Sequence, residues 1–223
     1  MICGLYKDSI RLKSEGIHFE SVDEKSGIQA IQRADPDILV TCNHAEKHEH
    51  EYIRHGTTTL IASFEVGSGQ VHGNLLPTRT SEDFLAFIKS RVATDPKGQW
   101  IFILDQLNTH KSPEMVMWIA EQCEIRDNLG VERKRGVLES MKSRRNFLSD
   151  ETHRIRFVYT PKHSSWLNQI EIWFSILSKR LLKRLSTTSV GELCTKINDF
   201  ISFFNETMAK PFKWTYEGKA LKA

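Results

Sequence analysis

Residues 100–113 read WIFILDQLNTHKSP, and the rest of the fold can be worked out from this stretch. Residues 100–104 form an uninterrupted apolar run, which is typical of a strand buried on both faces of a sheet. Asp105 follows at once. Ser112 and Pro113 are residue types that begin helices, as a capping side chain and as the first helical residue. The stretch predicts a central strand that ends in an acid, followed by a helix to about residue 122.

Upstream of this strand the pattern predicts an antiparallel meander. Residues 17–22 alternate apolar and polar side chains and lead into Asp23, where we expect the strand to end. A second short strand, residues 27–32, is expected across a turn. Residues 57–66 and 70–76, separated by Gly67-Ser68-Gly69, predict a hairpin. A polar loop from Asp35 through His55 lies between these strands.

Downstream the pattern alternates between helix and strand. We expect helices over residues 82–93, capped by Ser81, over 165–183 and over 189–208, and a strand over 154–159. This order is that of a ribonuclease H-like α/β domain, with a mixed five-stranded sheet flanked by helices. Residues 124–153, polar and basic with room for one helix, are expected to be an insertion before the last strand. The domain would span residues 17–223, after a linker helix within residues 1–16.

Composition places the chain among ordinary globular proteins, with 39% hydrophobic and 26% charged residues. No apolar run approaches the roughly 18 residues of a membrane helix, so we expect a cytoplasmic protein with no membrane partner. The four cysteines are scattered, and neither disulfides nor a structural zinc site is indicated.

Residues 1–100 carry 11 Lys and Arg against 14 Asp and Glu, whereas residues 101–223 carry 20 against 14. A polyanion would meet the C-terminal half first, although basic residues that only maintain solubility are an equal alternative.

Three acids are candidates for a metal site. Asp23 and Asp105 each follow a predicted strand, and Glu171 lies at the edge of the apolar stripe of the predicted helix over 165–183. Oxygen ligands of this kind suit Mg²⁺ or Mn²⁺ rather than zinc, and two such ions can promote an in-line phosphodiester displacement. Spacing alone does not decide the matter, because most of the 28 acids of a chain like this one are solvated surface residues.

The segments around these acids resemble the bacterial insertion-sequence transposases of the Tc/mariner superfamily. The matching stretches are VDEKSGIQA around Asp23, EYIRHGTTTLIASFEV from Glu51, FILDQLNTHKS around Asp105, TPKHSSWLNQIEIWFSILSKRLLKR around Glu171, and NETMAKPFKWTYEGKAL from Asn205. The resemblance implies a ribonuclease H-like catalytic core, with Asp23, Asp105 and Glu171 as a DDE triad that holds two Mg²⁺ or Mn²⁺ ions. It also implies cutting and joining of transposon ends in double-stranded DNA, which we expect from a homodimer associated with the nucleoid.

The sequence departs from most members of this family in three ways. Most members carry a helix-turn-helix DNA-binding region before the catalytic core, and we expect that region to be absent here. The 65 residues between Asp105 and Glu171 exceed the shorter spacings of the family, and the insertion accounts for the excess. Gln106 follows Asp105 where many relatives have asparagine.

Several basic and polar residues are candidates for DNA contact. Arg54 and His55 adjoin a threonine-rich strand, where a structural salt bridge is an equal alternative. Three residues are placed at the start of the Glu171 helix and three at its end, where helix capping and the helix dipole are the alternatives; they are Lys162, His163 and Asn168, and Lys179, Arg180 and Arg184.

Trp166 and Trp173 fall on the apolar stripe of that helix and are expected in the core. Five residues within a 14-residue stretch lack the pattern of a closed zinc site, and we expect a solvated loop there; they are Cys42, His44, His48, His50 and His55.

Three functions fit these observations. The first is an active transposase that performs DNA recombination and integration. The second is a catalytically silent, truncated or domesticated transposase that binds DNA or a partner protein. The third is a ribonuclease H or another nuclease of the same fold, since a fold alone does not fix the substrate.

Overall fold

The computed structural model describes residues 2–33, 51–162 and 164–215. Its centre is a five-stranded sheet in the order β3-β2-β1-β4-β5. The first three strands pair antiparallel, and β4 lies parallel to both β1 and β5. The predicted mixed five-stranded sheet is therefore confirmed. The strands are β1 (Ile17–Arg33), β2 (Tyr52–Glu65), β3 (Val71–Leu76), β4 (Gln99–Leu104) and β5 (Ile155–Tyr159).

Helices cover both faces of the sheet. They are α1 (Ile2–Lys7), α2 (Ser9–Ser14), α3 (Ser81–Val92), α4 (Pro113–Gln122), α5 (Met141–Leu148), α6 (Ile170–Arg180) and α7 (Val190–Thr207). Alternate residues of β4 supply two separate cores. Ile101 and Ile103 pack with α1, α2, α6 and α7, whereas Trp100 and Phe102 pack with α3, α4 and the region around α5. This double burial explains why β4 is apolar at every position.

β1 is one continuous strand, so the prediction of a turn after Asp23 was wrong. Its ladder with β2 shifts register between Lys25 and Ile28 and again between Gln29 and Ile31. Gly27 has φ +70° at the first of these irregularities, a conformation that a glycine adopts without strain. The Ser26-Gly27 pair that reads as a turn is thus a bulge within a long strand. β2 also begins earlier than expected, because Tyr52 to His55 extend the hairpin with β1.

Two helix starts differ from the prediction. α3 is capped by Thr80, whose side chain accepts the Asp83 N–H, rather than by Ser81. The single helix expected over residues 165–183 is a 3₁₀ turn over Ser165–Leu167, then α6, then a second 3₁₀ turn over Leu182–Arg184. Asn168 is extended between the first turn and α6, which breaks the helix there. Trp166 therefore lies off the apolar stripe, and the expectation that it lies in the core was wrong, since it is 54% exposed whereas Trp173 is 1% exposed.

The segment expected as a linker and the segment expected as an insertion both pack on the rest of the domain. Residues 2–14, expected as a linker helix, form α1 and α2, and Tyr6 donates a hydrogen bond to the Leu167 carbonyl at 2.7 Å. Within residues 124–153, α5 contacts α4 and the 3₁₀ turn Thr109–Lys111, and Leu138 and Leu148 are buried. No helix in the described part of the chain is long and apolar enough to cross a membrane.

Candidate active site

The register of the sheet brings two of the predicted acids together. Ser21 of β1 lies opposite Ile103 of β4 in the last parallel pair. Asp23 and Asp105 each stand two residues further along, just beyond the point where the parallel ladder ends. Asp23 itself is in mid-strand, since it still pairs with Ala62 of β2 on its other side. The two carboxylates therefore lie next to each other where β1 and β4 separate, which is where α/β sheets form their sites.

Asp23 is held by hydrogen bonds on both of its oxygens. Its Oδ1 accepts the Glu24 N–H at 2.8 Å, and its Oδ2 accepts the side-chain amide of Asn168 at 3.0 Å. Asn168 is fully buried; the same amide also donates to the Val22 carbonyl at 2.9 Å, and its Oδ1 accepts from the Ser21 hydroxyl. This side chain is therefore a support for Asp23. The assignment of Asn168 to a DNA contact was wrong, because no part of it reaches the surface.

The pKa of Asp23 reflects this surrounding. The residue is 7% exposed, and burial raises the pKa of its carboxyl to about 7. The hydrogen bond from Glu24 N–H opposes the shift, and the negative charges of Asp105, Glu24 and Glu171 add to it. A buried carboxylate among three other acids is unfavourable in the charged form, and a cation beside it would restore that form.

Among the described residues, the contacts that fix Asp105 fall on its Oδ1. Its Oδ1 accepts the Leu107 N–H at 2.9 Å and lies 3.0 Å from Nδ1 of His110, close enough for an ion pair although the hydrogen-bond angle is poor. Burial alone would raise the pKa of Asp105, but His110 and the Leu107 N–H outweigh burial and hold it below its usual value. Asp105 is thus ionised at neutral pH, beside a partly protonated Asp23.

His110 also contacts Glu24. Its Nε2 is 2.9 Å from Oε1 of Glu24, and the imidazole is completely buried. Burial alone would lower the pKa of His110, but its contacts with Asp105 and Glu24 outweigh burial and raise it to about 9. Sequence reasoning missed both residues. The available signal was a histidine five positions after Asp105 and a second acid directly after Asp23.

Glu171 lies in the first turn of α6 with an exposed side chain. It is near enough to Asp23 to affect the pKa of that residue. The structure does not, however, bring the three acids into one ligand set: within residues 2–33, 51–162 and 164–215, no three His, Cys, Asp or Glu side chains are placed to hold a single ion. Asp23 and Asp105 fit a hard divalent cation by their oxygen donors and by their unfavourable charge. Glu171 is a neighbour of that pair.

A cleft of about 220 Å³ opens beside Asp105. It is lined by Asp105, Gln106, Thr160, Pro161, Lys162, Ser164 and Ser165. Lys162, one of the residues predicted to contact DNA, is exposed at its rim. Gln106 donates to the Thr160 carbonyl at 2.6 Å, which ties the end of β4 to the end of β5. The cleft gives a substrate access to the exposed side of Asp105.

The other predicted DNA contacts are distributed over the surface. Arg54 donates to the Tyr52 hydroxyl at 2.9 Å, and His55 contacts Gln32 Oε1 at 2.8 Å, both on the β1–β2 hairpin. Lys179 and Arg180 are exposed at the end of α6, and Arg184 is exposed in the 3₁₀ turn that follows. His163 and the candidates Cys42, His44, His48 and His50 lie outside the described residues.

Comparison with known proteins gives the family context. A family model described as "DDE superfamily endonuclease" matches residues 21–194, which include Asp23, Asp105 and Glu171. Among curated proteins, no significant match is found.

Solved structures of the Mos1 transposase have a similar fold. A pre-cleavage Mos1 transpososome matches 96% of this chain at a TM-score of 0.56 and 14% identity. The Mos1 paired-end complex with the left transposon end matches at a TM-score of 0.53 and 13% identity, and the catalytic domain of Mos1 mariner transposase at 0.50 and 12%. The chain spans 55% of the first two Mos1 chains and 81% of the catalytic domain. The likeness confirms the predicted ribonuclease H-like fold.

Proposed function

Because the chain belongs to the DDE superfamily of endonucleases, whose model matches residues 21–194, we propose that it is a DNA transposase. It would cleave transposon ends and join them to target DNA, with Asp23, Asp105 and Glu171 as its catalytic acids. The PKHSSWLNQIE stretch of residues 161–171 favours the insertion-sequence branch of the Tc/mariner superfamily.

The observation that carries this proposal is the placement of Asp23 beside Asp105 at the end of the β1–β4 ladder. Burial raises the pKa of Asp23 to about 7 and the charge of Asp105 adds to the shift, which costs folding stability unless a cation is present. Surface acids do not explain it, because Asp23 is 7% exposed.

The chain's own residues would orient and prepare the site. Asn168 and the Glu24 N–H fix Asp23, and His110 and the Leu107 N–H fix Asp105 through Oδ1. When bound, two Mg²⁺ or Mn²⁺ ions would activate the attacking oxygen and stabilise the leaving oxygen of a phosphodiester. Asp23 and Asp105 would hold them, and Glu171, their neighbour in the first turn of α6, would act beside that pair.

Substrate contacts would come from the exposed basic residues. Lys162 lies at the cleft beside Asp105, and Lys179, Arg180 and Arg184 extend the positive charge beyond α6. These side chains would bind DNA phosphates without reading sequence, so binding should weaken steeply with salt. One of the similar Mos1 structures is a paired-end complex with the left transposon end. We further propose that this chain works as a homodimer, on the nucleoid in the cytoplasm.

A supercoiled-plasmid assay tests the proposal. The wild-type protein should nick plasmid in Mn²⁺ and less well in Mg²⁺, because Mg²⁺ requires a stricter octahedral geometry. Asp105→Asn should abolish nicking, and Asp199→Asn, at an exposed aspartate of α7, should leave it unchanged. DNA binding by a folded wild type that nicks in neither metal would instead support a catalytically silent DNA-binding protein. Cleavage of RNA–DNA hybrids in preference to duplex DNA would support a ribonuclease.

A further inference from the structure

His110 connects the two strands of the site through buried contacts on both of its ring nitrogens. It stands in the 3₁₀ turn Thr109–Lys111, with Nε2 2.9 Å from Glu24 on β1 and Nδ1 3.0 Å from Asp105 after β4. Its ring packs on Phe84 with centroids 4.1 Å apart, and its carbonyl accepts from the Tyr159 hydroxyl at 3.2 Å. The imidazole is thus held on every side and cannot turn freely.

Glu24 makes this link possible because of strand geometry. Adjacent residues of a strand point to opposite faces of the sheet. Asp23 therefore faces Asn168 before α6, whereas Glu24 faces His110 and the α3 side. Within one dipeptide of β1, Asp23 thus supplies a carboxylate to the site, and Glu24 supports His110 from the opposite face of the sheet. His110 in turn contacts Asp105.

Both contacts of Asp105 with the described residues fall on the same oxygen. Oδ1 accepts the Leu107 N–H and faces His110, which leaves Oδ2 for other ligands. Without His110 the side chain would keep only the Leu107 contact and could rotate about its Cα–Cβ and Cβ–Cγ bonds. The imidazole therefore helps to hold Oδ1 in place and leaves Oδ2 as the oxygen open to another ligand.

We propose that His110 is a positioning residue that, braced by Glu24, fixes Oδ1 of Asp105 and so leaves Oδ2 available to a divalent cation shared with Asp23. This inference rests on the proposed function. His110 touches neither DNA nor the reacting atoms in this arrangement. Its effect passes entirely through the orientation of Asp105, as supporting partners of metal-binding side chains act in other sites.

Two substitutions separate the contacts of the two ring nitrogens. The amide nitrogen of asparagine stands near the place of Nδ1, so His110→Asn retains a donor to Asp105 and loses the one to Glu24. The amide nitrogen of glutamine stands near the place of Nε2, so His110→Gln retains the donor to Glu24 and loses the one to Asp105. Each variant removes one buried contact, so a purely structural role predicts similar losses of stability and of Mn²⁺ affinity in both.

Mn²⁺ affinity, measured from the electron paramagnetic resonance signal of free Mn²⁺, is the main readout, with plasmid nicking beside it. His110→Gln should lose about 10- to 100-fold in Mn²⁺ affinity, and His110→Asn should stay near wild type. His18→Gln is the matched control, because His18 makes a similar 3.0 Å contact with Asp95 at the far end of β1. Thermal melts check folding. If His110→Asn melts too low, adding Glu24→Gln removes the unpaired buried charge and restores the comparison.

The outcomes test separately the proposed transposase function and the positioning role of His110. A wild type that neither binds Mn²⁺ nor nicks DNA overturns the proposed function, and the role of His110 with it. A wild type that does both, with equal Mn²⁺ affinities for His110→Asn and His110→Gln, overturns the role of His110 alone. A loss confined to His110→Gln, with His18→Gln unchanged, supports it.

Discussion

Asp23→Asn should stabilise the metal-free protein at pH 8 while removing its activity. The carboxyl of Asp23 has a pKa of about 7 in the folded protein, against 3.8 in an unfolded chain. A difference of about three pH units corresponds to a penalty of about 4 kcal/mol for folding with this group ionised. Asparagine carries no charge and avoids that penalty.

Part of this gain is lost to hydrogen bonding. The two oxygens of Asp23 accept from Glu24 N–H and from the Asn168 amide, and the NH₂ group of asparagine must face one of these donors. An opposed buried donor costs about 1–3 kcal/mol. The net stabilisation at pH 8 is therefore about 1–3 kcal/mol, which raises the melting temperature by several degrees in a chain of this size.

The free energy of unfolding of the wild type should depend on pH through the carboxyl of Asp23. Because its folded pKa is raised, Asp23 binds a proton in the folded state between about pH 4 and pH 7 and releases it on unfolding there. Wild-type stability should fall as pH rises through this window, and Asp23→Asn should lack that fall. Urea unfolding in EDTA at several pH values measures the difference, with Asp199→Asn as the surface control. A constant difference between Asp23→Asn and wild type from pH 4 to pH 8 would refute the reasoning.

Three further outcomes are expected. Arg91→Ala should cost about 3–5 kcal/mol in urea unfolding, because its partner Glu20 is completely buried, whereas Arg11→Ala, in an exposed pair, should cost under about 1 kcal/mol. Trp173→Ala should cost about 3–5 kcal/mol and Ile172→Ala under about 0.5 kcal/mol, since their exposures are 1% and 45%; equal losses would contradict the packing of α6. Mn²⁺ should raise the wild-type melting temperature more than that of Asp105→Asn in a thermal-shift assay, and equal shifts would count against Asp105 as a ligand.

The sequence pattern predicted well those elements that are buried to the same degree along their whole length. β4 is buried on both faces, and its apolar run shows this directly. β1 was harder, because the Ser26-Gly27 pair is compatible both with a turn and with a bulge, and only the long partner strand β2 selects the bulge. The start of α6 was also inaccessible, since Asn168 leaves the helix to bond with β1, 145 residues away in sequence.

The candidate active site, like the fold, could be predicted only in part. Asp23 and Asp105 could be chosen because strand ends in α/β sheets meet, Glu171 from its place at the edge of the apolar stripe of its helix, and family resemblance then favoured these three over other acids. His110 could not be chosen in this way. A lone histidine in a loop has no periodic signal, and its contact with Glu24 joins residues 86 positions apart. The exposure of Trp166 followed from the same break before α6 that the helical pattern concealed.

The parallel pairing of β1 with β4 sets an order of events during protein synthesis. β1, β2 and β3 lie within the first 76 residues and pair with one another, so this meander can form early on a nascent chain. Asp105 joins Asp23 only after β4 has been made and inserted beside β1. A chain released before that point would carry a partial sheet with an open edge and a single acid. The two acids therefore come together only from about the midpoint of the chain onwards, while β5 and the helices α4 to α7 that complete the two cores are still to be made.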